Sequence, residues 1–162
     1  MPVEFIGMIG TQDQSETRPS SGPVIDQDYV RRFARAHEDA GFDRVLIGYN
    51  SSQPDGTQVA AYAAAHTERI GFLVAHRPGF MAPTLAARMF ATLDQFTGGR
   101  AAVHVITGGS DAEQRRDGDY LPKDERYHRT DEYLDMFSPR SCCAGRPAAR
   151  PDRAWPPGGS GS

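Results

Sequence analysis

The sequence predicts an α/β chain built on a parallel sheet, and three observations carry the prediction. Short apolar runs alternate with amphipathic stretches in the order βαβαβαβα. Successive strand candidates stand about 25–40 residues apart, room for right-handed helical crossovers. The third run, Ile70–Ala75, is apolar on both faces, as a strand covered by helices requires.

In order along the chain, Val3–Met8 is the first strand, followed by a loop from Gly10 to Pro23 rich in Ser, Thr, Gln and Pro. Asp26 is placed to cap a helix through Ala40, with Tyr29, Val30, Phe33, Ala36 and Ala40 near a 3.6-residue period and Gly41 as its stop. Val45–Ile47 is the second strand. Asp55 caps a second helix reaching about Thr67, and Ile70–Ala75 follows as the third strand. Pro83 suits the first position of a third helix. Its stripe is read as Leu85, Met89, Leu93 and Phe96, and Gly98-Gly99 ends it. Ala101–Ile106 is the fourth strand. A polar loop leads to a last helix from about Asp124 to Phe137, with Tyr127, Leu134 and Phe137 as its inner side. A doubly wound sheet and half of a (β/α)8 barrel both fit this order; a complete barrel needs eight units and about 250 residues.

The rhythm stops at Ser138. The remaining 25 residues contain no Val, Ile, Leu or Phe and are dominated by Pro, Gly, Arg, Ala and Ser. They hold both cysteines, Cys142 and Cys143, and the single tryptophan, Trp155. Of the net charge of −3, the tail carries +3 and residues 1–137 carry −6. The division is therefore a partial barrel domain over 1–137 and a disordered tail over 138–162. Two origins fit the tail: a natural flexible extension, or translation of a GC-rich gene out of frame. The adjacent cysteines read as free thiols rather than a disulfide or zinc site.

Composition narrows the function classes. Apolar residues make up 38% and charged residues 24%, ordinary for a globular domain. No apolar run approaches the roughly 18 residues of a bilayer span. The N-terminus MPVEFIGMIG has no basic leader and no long apolar core, so the expected location is cytoplasmic, with no membrane partner. The absence of a basic stripe argues against nucleic acid. GxGxxG, GxxxxGK[ST], HExxH and GxSxG are all missing, and the five histidines show no metal-ligand spacing, so no metal is expected.

Parallel α/β folds bind ligands at the carboxyl ends of their strands. The segments there are Gly10–Asp13, Gly48–Asp55, His76–Gly79 and Thr107–Asp111. His104 falls within the fourth strand, where a hydrogen-bonded core residue and a ligand contact are both open readings. Thr107-Gly108-Gly109 can present amides to an anion or simply turn. Arg126 and Tyr127 stand at a helix start, where they can meet a phosphate or form a solvated first turn.

The stretch from Ile70 to Tyr133 is more specific. Arg77-Pro78 precedes Pro83-Thr84-x-Ala86-Ala87-Arg88, then Ala91-Thr92-Leu93-Asp94 precedes Gly99-Arg100, then comes Val105-Ile106-Thr107-Gly108, and finally Glu125-Arg126-Tyr127 with Glu132-Tyr133. These pieces, in this order, resemble the bacterial-luciferase-like flavin-dependent monooxygenases, with the alkanesulfonate monooxygenases as the nearest subgroup. The resemblance covers residues 3–137. It implies the N-terminal half of a (β/α)8 barrel that takes reduced FMN from a separate NAD(P)H-dependent reductase. With O2, the flavin oxygenates a small organic substrate, in the subgroup an alkanesulfonate cleaved to aldehyde and sulfite. A homo-oligomer is compatible with it.

By position, the resemblance assigns Asp55, Ala75, His76, His104, Thr107 and Tyr127 to the flavin, Tyr127 at its phosphate, and Gln53 to the substrate. His104 stands where the family commonly has Asn, and Gln53 where the sulfonate enzymes often have Cys. The family's catalytic His and Arg and its main phosphate loops belong to the second half of the barrel. The alternative function is a catalytically inactive fragment of such an enzyme, since a half barrel leaves two parallel edges and one apolar sheet face open.

Overall fold

The computed structural model describes residues 3–15, 17 and 19–137. The expectations for the 138–162 tail, including its thiols, lie outside the described residues.

Among the described residues, four strands and five helices follow in the order β1 (Ile6–Ile9), α1 (Gln27–Asp39), β2 (Arg44–Ile47), α2 (Gly56–Ala64), β3 (Gly71–His76), α3 (Pro83–Phe96), β4 (Ala101–Val105), α4 (Asp111–Arg116) and α5 (Lys123–Phe137). The strands form one parallel sheet in the order β1-β2-β3-β4. Both helix caps read from the sequence are made: Asp26 accepts from the Tyr29 amide and Asp55 from the Gln58 amide. Helix α2 ends at Ala64, short of Thr67: the amides of His66 and Thr67 bond three residues back, to the Ala63 and Ala64 carbonyls, in a tighter final turn.

The register sorts the sheet into two faces. Ile9, Val45, Ile47, Phe72 and Val74 point toward the helices and form the core with Val30 and Ala34 of α1, Val59, Ala60 and Ala63 of α2, and Phe90 and Leu93 of α3. On the opposite face, Met8, Leu46, Leu73 and Ala102 lie in one paired row. This face is more open: Met8 is 58% exposed and Ile6 49%. It corresponds to the interior of a barrel, so the architecture is four consecutive βα units of a barrel wall. The helix side is tight at Gly7, where any Cβ would fall 2.1 Å from the His37 ring of α1.

Two expected helix faces hold only in part: Met89, Leu93 and Phe137 pack inward as expected, but other members do not. Helix α3 buries Ala86, Phe90 and Leu93, while Leu85 and Phe96 are 47% and 88% exposed. Helix α5 buries Arg126, Thr130 and Tyr133, and Tyr127 is turned outward. In both, the stripe includes residues that pattern reading discounts: an alanine in α3, and an arginine and a threonine in α5. Helix α4 was not expected at all. It is a short polar helix, capped by Ser110, within what composition reads as a loop.

The amino ends of the strands are held by polar staples. Asp94 accepts the Ala101 amide, and Arg100 donates to the carbonyls of Thr97, Ile70 and Ala64 and to the Thr67 hydroxyl. The Leu93-Asp94…Gly99-Arg100 pieces thus fix the α3–β4 turn against the α2–β3 turn. Glu38, at the end of α1, accepts the amides of Glu68, Arg69 and Ile70 at 2.6–3.2 Å. Burial opposes ionisation of Glu38, but these amides and Arg69 prevail and hold its carboxyl below the ordinary value. Glu38→Gln is therefore expected to lower stability by about 1–2 kcal/mol near neutral pH. A group with a depressed folded pKa stabilises above its unfolded pKa, so the difference from wild type shrinks as pH falls below about 4.5. Urea midpoints measured across that range check both parts.

Candidate active site

The carboxyl ends of β1–β4 and the loops that follow them form the mouth of the half barrel. Register places Ala75 beside His104, on the open face of the sheet. Ala75 is buried and His104 is exposed. Thr107 follows β4, half-buried, with its carbonyl held by Arg126. Gln53 lies exposed in the loop after β2, on the wall of a cavity of about 590 Å³ between that loop and the loop after β1.

The other sequence-assigned residues are not gathered there by their side chains. Asp55 uses its carboxylate to cap α2, accepting from the Gln58 amide and the Thr57 hydroxyl. The His76 ring faces the helices, opposite to Ala75. Its Nε2 is 2.8 Å from the Tyr133 hydroxyl, and it packs against Phe90 and Phe137. Tyr127 is 54% exposed on the first turn of α5. Arg126, weighed above as a phosphate contact, is instead 1% exposed and wholly engaged by the protein.

Burial lowers the basicity of His76, against a weaker opposing pull from Asp55, and pushes the Tyr133 phenol up to about 12. Folding therefore favours the neutral form of His76. The unfolded chain binds a proton there more readily, so stability falls as pH drops below about 6.5 and through the depressed folded value. This acid sensitivity below pH 6.5 is expected to be reduced in His76→Gln, as read by thermal unfolding at a series of pH values.

Two arginines organise the mouth, and the sequence reading had given neither this role. Arg77, just after β3, is 4% exposed. It pairs with Glu113 at 2.7 Å and Asp117 at 3.2 Å, and lies 4.3 Å from the centre of the Tyr49 ring. Glu113 in turn accepts the Ser51 amide, and Asp117 accepts the Tyr49 hydroxyl. Burial raises the Tyr49 phenol to about 12, with Asp117 adding to the shift. One guanidinium thereby ties the loops after β2 and β3 to α4. Arg126, on α5, donates to the carbonyls of Thr107 and Leu121 and to Asp111, fixing the loop after β4. The available signal was the i, i+4 spacing of Glu113 and Asp117, which puts both carboxylates on one helical face. It is visible only once α4 is recognised as a helix.

Consecutive parallel βα units in the order β1-β2-β3-β4, with polar loops at the strand carboxyl ends, define a chain of the (β/α)8-barrel class. Within that class the chain belongs to the luciferase-like monooxygenase family, whose model matches residues 3–139. Solved structures agree. The long-chain alkane monooxygenase LadA is similar at 25% identity and a TM-score of 0.63, over 69% of this chain and 31% of that one. DmoA from Hyphomicrobium sulfonivorans is similar at 26% identity and a TM-score of 0.65, over 83% of this chain and 35% of that one. The oxygenating constituent of 3,6-diketocamphane monooxygenase from Pseudomonas putida, solved in complex with FMN, shares the fold at 22% identity and a TM-score of 0.71, over 85% of this chain and 38% of that one. The chain thus spans about a third of the length of these structures. They come from several branches of the family and do not single out the alkanesulfonate subgroup. No helix among the described residues is long and apolar enough to cross a membrane.

Proposed function

We propose that this chain supplies the N-terminal portion of an FMN- and O2-dependent monooxygenase acting on a small organic substrate. The observation that carries the reading is the mouth of the open sheet face. There Ala75 offers only a methyl group beside the imidazole of His104, above the apolar row of Met8, Leu46 and Leu73. A small residue next to a hydrogen-bonding ring, over an apolar floor, suits one side of a flat isoalloxazine. The flavin, when bound and reduced by a separate NAD(P)H-dependent reductase, would activate dioxygen.

The chain's own part is to hold and orient. His104 supplies a hydrogen bond to the ring, Thr107 approaches from the β4 loop, Asp55 fixes the start of α2, and His76 anchors the end of β3 to Tyr133. Arg77 and Arg126 are both committed to carboxylates, so neither is free for the FMN phosphate. Phosphate recognition falls to Tyr127 and, as the family resemblance implies, to the second half of the barrel. A cytoplasmic location and self-association are compatible with this reading.

Titrating FMN with the chain tests it: quenched flavin fluorescence, weakened in His104→Ala, is the expected result. Full fluorescence at saturating protein would sink flavin binding by this chain and favour the inactive-fragment reading. The finer, alkanesulfonate reading rests on the resemblance of the same run of pieces, from Arg77-Pro78 to Glu132-Tyr133. Its test is sulfite release from octanesulfonate in the presence of a flavin reductase.

A further inference from the structure

The cavity beside Gln53 bears on the substrate, and the inference rests on the monooxygenase reading above. Its walls come from the ends of β1 and β2, from the loops that follow them, and from α1 and α2. Gly48 leaves the space between Met8 and Gln53 unfilled: a Cβ there would lie 3.2 Å from the Met8 methyl and 3.8 Å from the Gln53 amide oxygen. The polar lining is made of carboxamides and hydroxyls, among them Gln12, Gln14, Asn50 and Gln53, and the apolar lining includes Ile9 and Phe33.

None of the described lining residues carries a charge. Two acids stand next to the described wall. Asp26 caps α1 through the amide of Tyr29, a lining residue, and Asp13 reinforces the rise that burial imposes on the Tyr29 phenol. An anion entering here would shed water and gain no countercharge from the described lining. Carboxamides, by contrast, both donate and accept, and so match a neutral polar head without desolvating a charge.

We infer that this cavity takes an uncharged organic molecule, with a polar head such as an amide, alcohol or ketone and an apolar body, and that it discriminates against sulfonates. The carboxamide of Gln53 and the amide nitrogen of Asn50, whose oxygen already accepts from Ser52, meet the head, and the body lies along Met8.

The test uses the full chain without flavin, so that failure of the cavity and failure of flavin binding are read separately. Octanamide and octanesulfonate are titrated by calorimetry near neutral pH and mapped by ligand-observed NMR. Octanamide is expected to bind, with octanesulfonate about tenfold weaker or more. Gln53→Leu is expected to weaken octanamide several-fold, and Gln53→Arg to reverse the preference by supplying the missing cation. Gln53 is exposed, so neither substitution disturbs the core. Octanesulfonate binding the wild type as well as octanamide would overturn the inference. So would binding of neither ligand, or affinities unmoved by both Gln53 variants. Octanamide binding together with unquenched FMN would instead remove the flavin reading on which the substrate assignment depends.

Discussion

Arg126→Met is expected to lower the stability of the folded chain by about 3–5 kcal/mol, the range for breaking a buried charged network from one side. Arg126 is 1% exposed, and its guanidinium reaches the Thr107 carbonyl at 3.1 Å, the Leu121 carbonyl at 2.6 Å and the Asp111 carboxylate at 2.8 Å. Methionine fills a comparable volume but leaves those acceptors without donors, and unsatisfied buried carbonyls cost about 1–3 kcal/mol each. The neighbouring loop cannot relax into the gap. Gly108 has φ +82°, and a Cβ there would fall 1.8 Å from the Gln114 amide, so the backbone passes α4 with no slack. Asp111→Asn separates the contributions. Asp111 is 55% exposed, so losing its charge is expected to cost about 1 kcal/mol or less. Equal losses in the two variants, or a urea midpoint unchanged in Arg126→Met, would show that the carbonyl contacts are not what holds the loop.

This prediction marks where sequence reading succeeded and where it failed. The alternation of strands and helices was legible because each strand is a short apolar run and each long helix has a capping or breaking residue at an end. Asp26, Asp55 and Pro83 all sit where their chemistry demands. The faces of α3 and α5 were legible only in part. Periodicity counts large apolar residues as buried, yet Phe96 is exposed at the end of α3 while Arg126 is enclosed on α5. What buries an arginine is the set of carbonyls waiting for it, and these belong to loops distant in sequence. Helix α4 was missed for a related reason: six polar residues carry no apolar stripe, and the helix exists through its Ser110 cap and its tertiary partners.

The candidate site divides the same way. The resemblance assigned both Ala75 and His104 to the flavin, and pairing in the parallel ladder sets them side by side on one face. Alternation along the strand turned the ring of His76 to the other face, because adjacent residues of a strand point oppositely. The charged residues of the mouth mostly build it rather than serve a ligand. Arg77, Arg126 and Arg129 are each paired with an acid, Arg129 with Asp119, whose carboxyl this pairing holds below its ordinary value against the effect of burial. Electrostatic work at the mouth therefore goes into fixing loops, leaving neutral side chains to face the cavity.

Arg77→Met carries that argument to its largest expected effect at the mouth itself. Removing the guanidinium leaves Glu113 and Asp117, at 16% and 19% side-chain exposure, facing each other without a countercharge. It also removes the cation stacked on Tyr49. A loss of about 3–5 kcal/mol is expected near neutral pH. The pH dependence follows from Glu113. Burial alone would raise its carboxyl, but the Ser51 amide and Arg77 outweigh burial and hold it below 4.5. Wild-type stability from this group is thus present above that value and lost as pH falls through the depressed one. In Arg77→Met the same protonation relieves repulsion, so the two proteins are expected to converge at acid pH. Glu113→Gln added to Arg77→Met should recover part of the loss, since one of the two uncompensated charges is gone and the glutamine oxygen still accepts the Ser51 amide. Urea unfolding of wild type and the two variants from pH 4 to 8 measures this. A difference between Arg77→Met and wild type that stays constant across the range would mean that Arg77 acts by packing between Tyr49 and Phe80, not by charge.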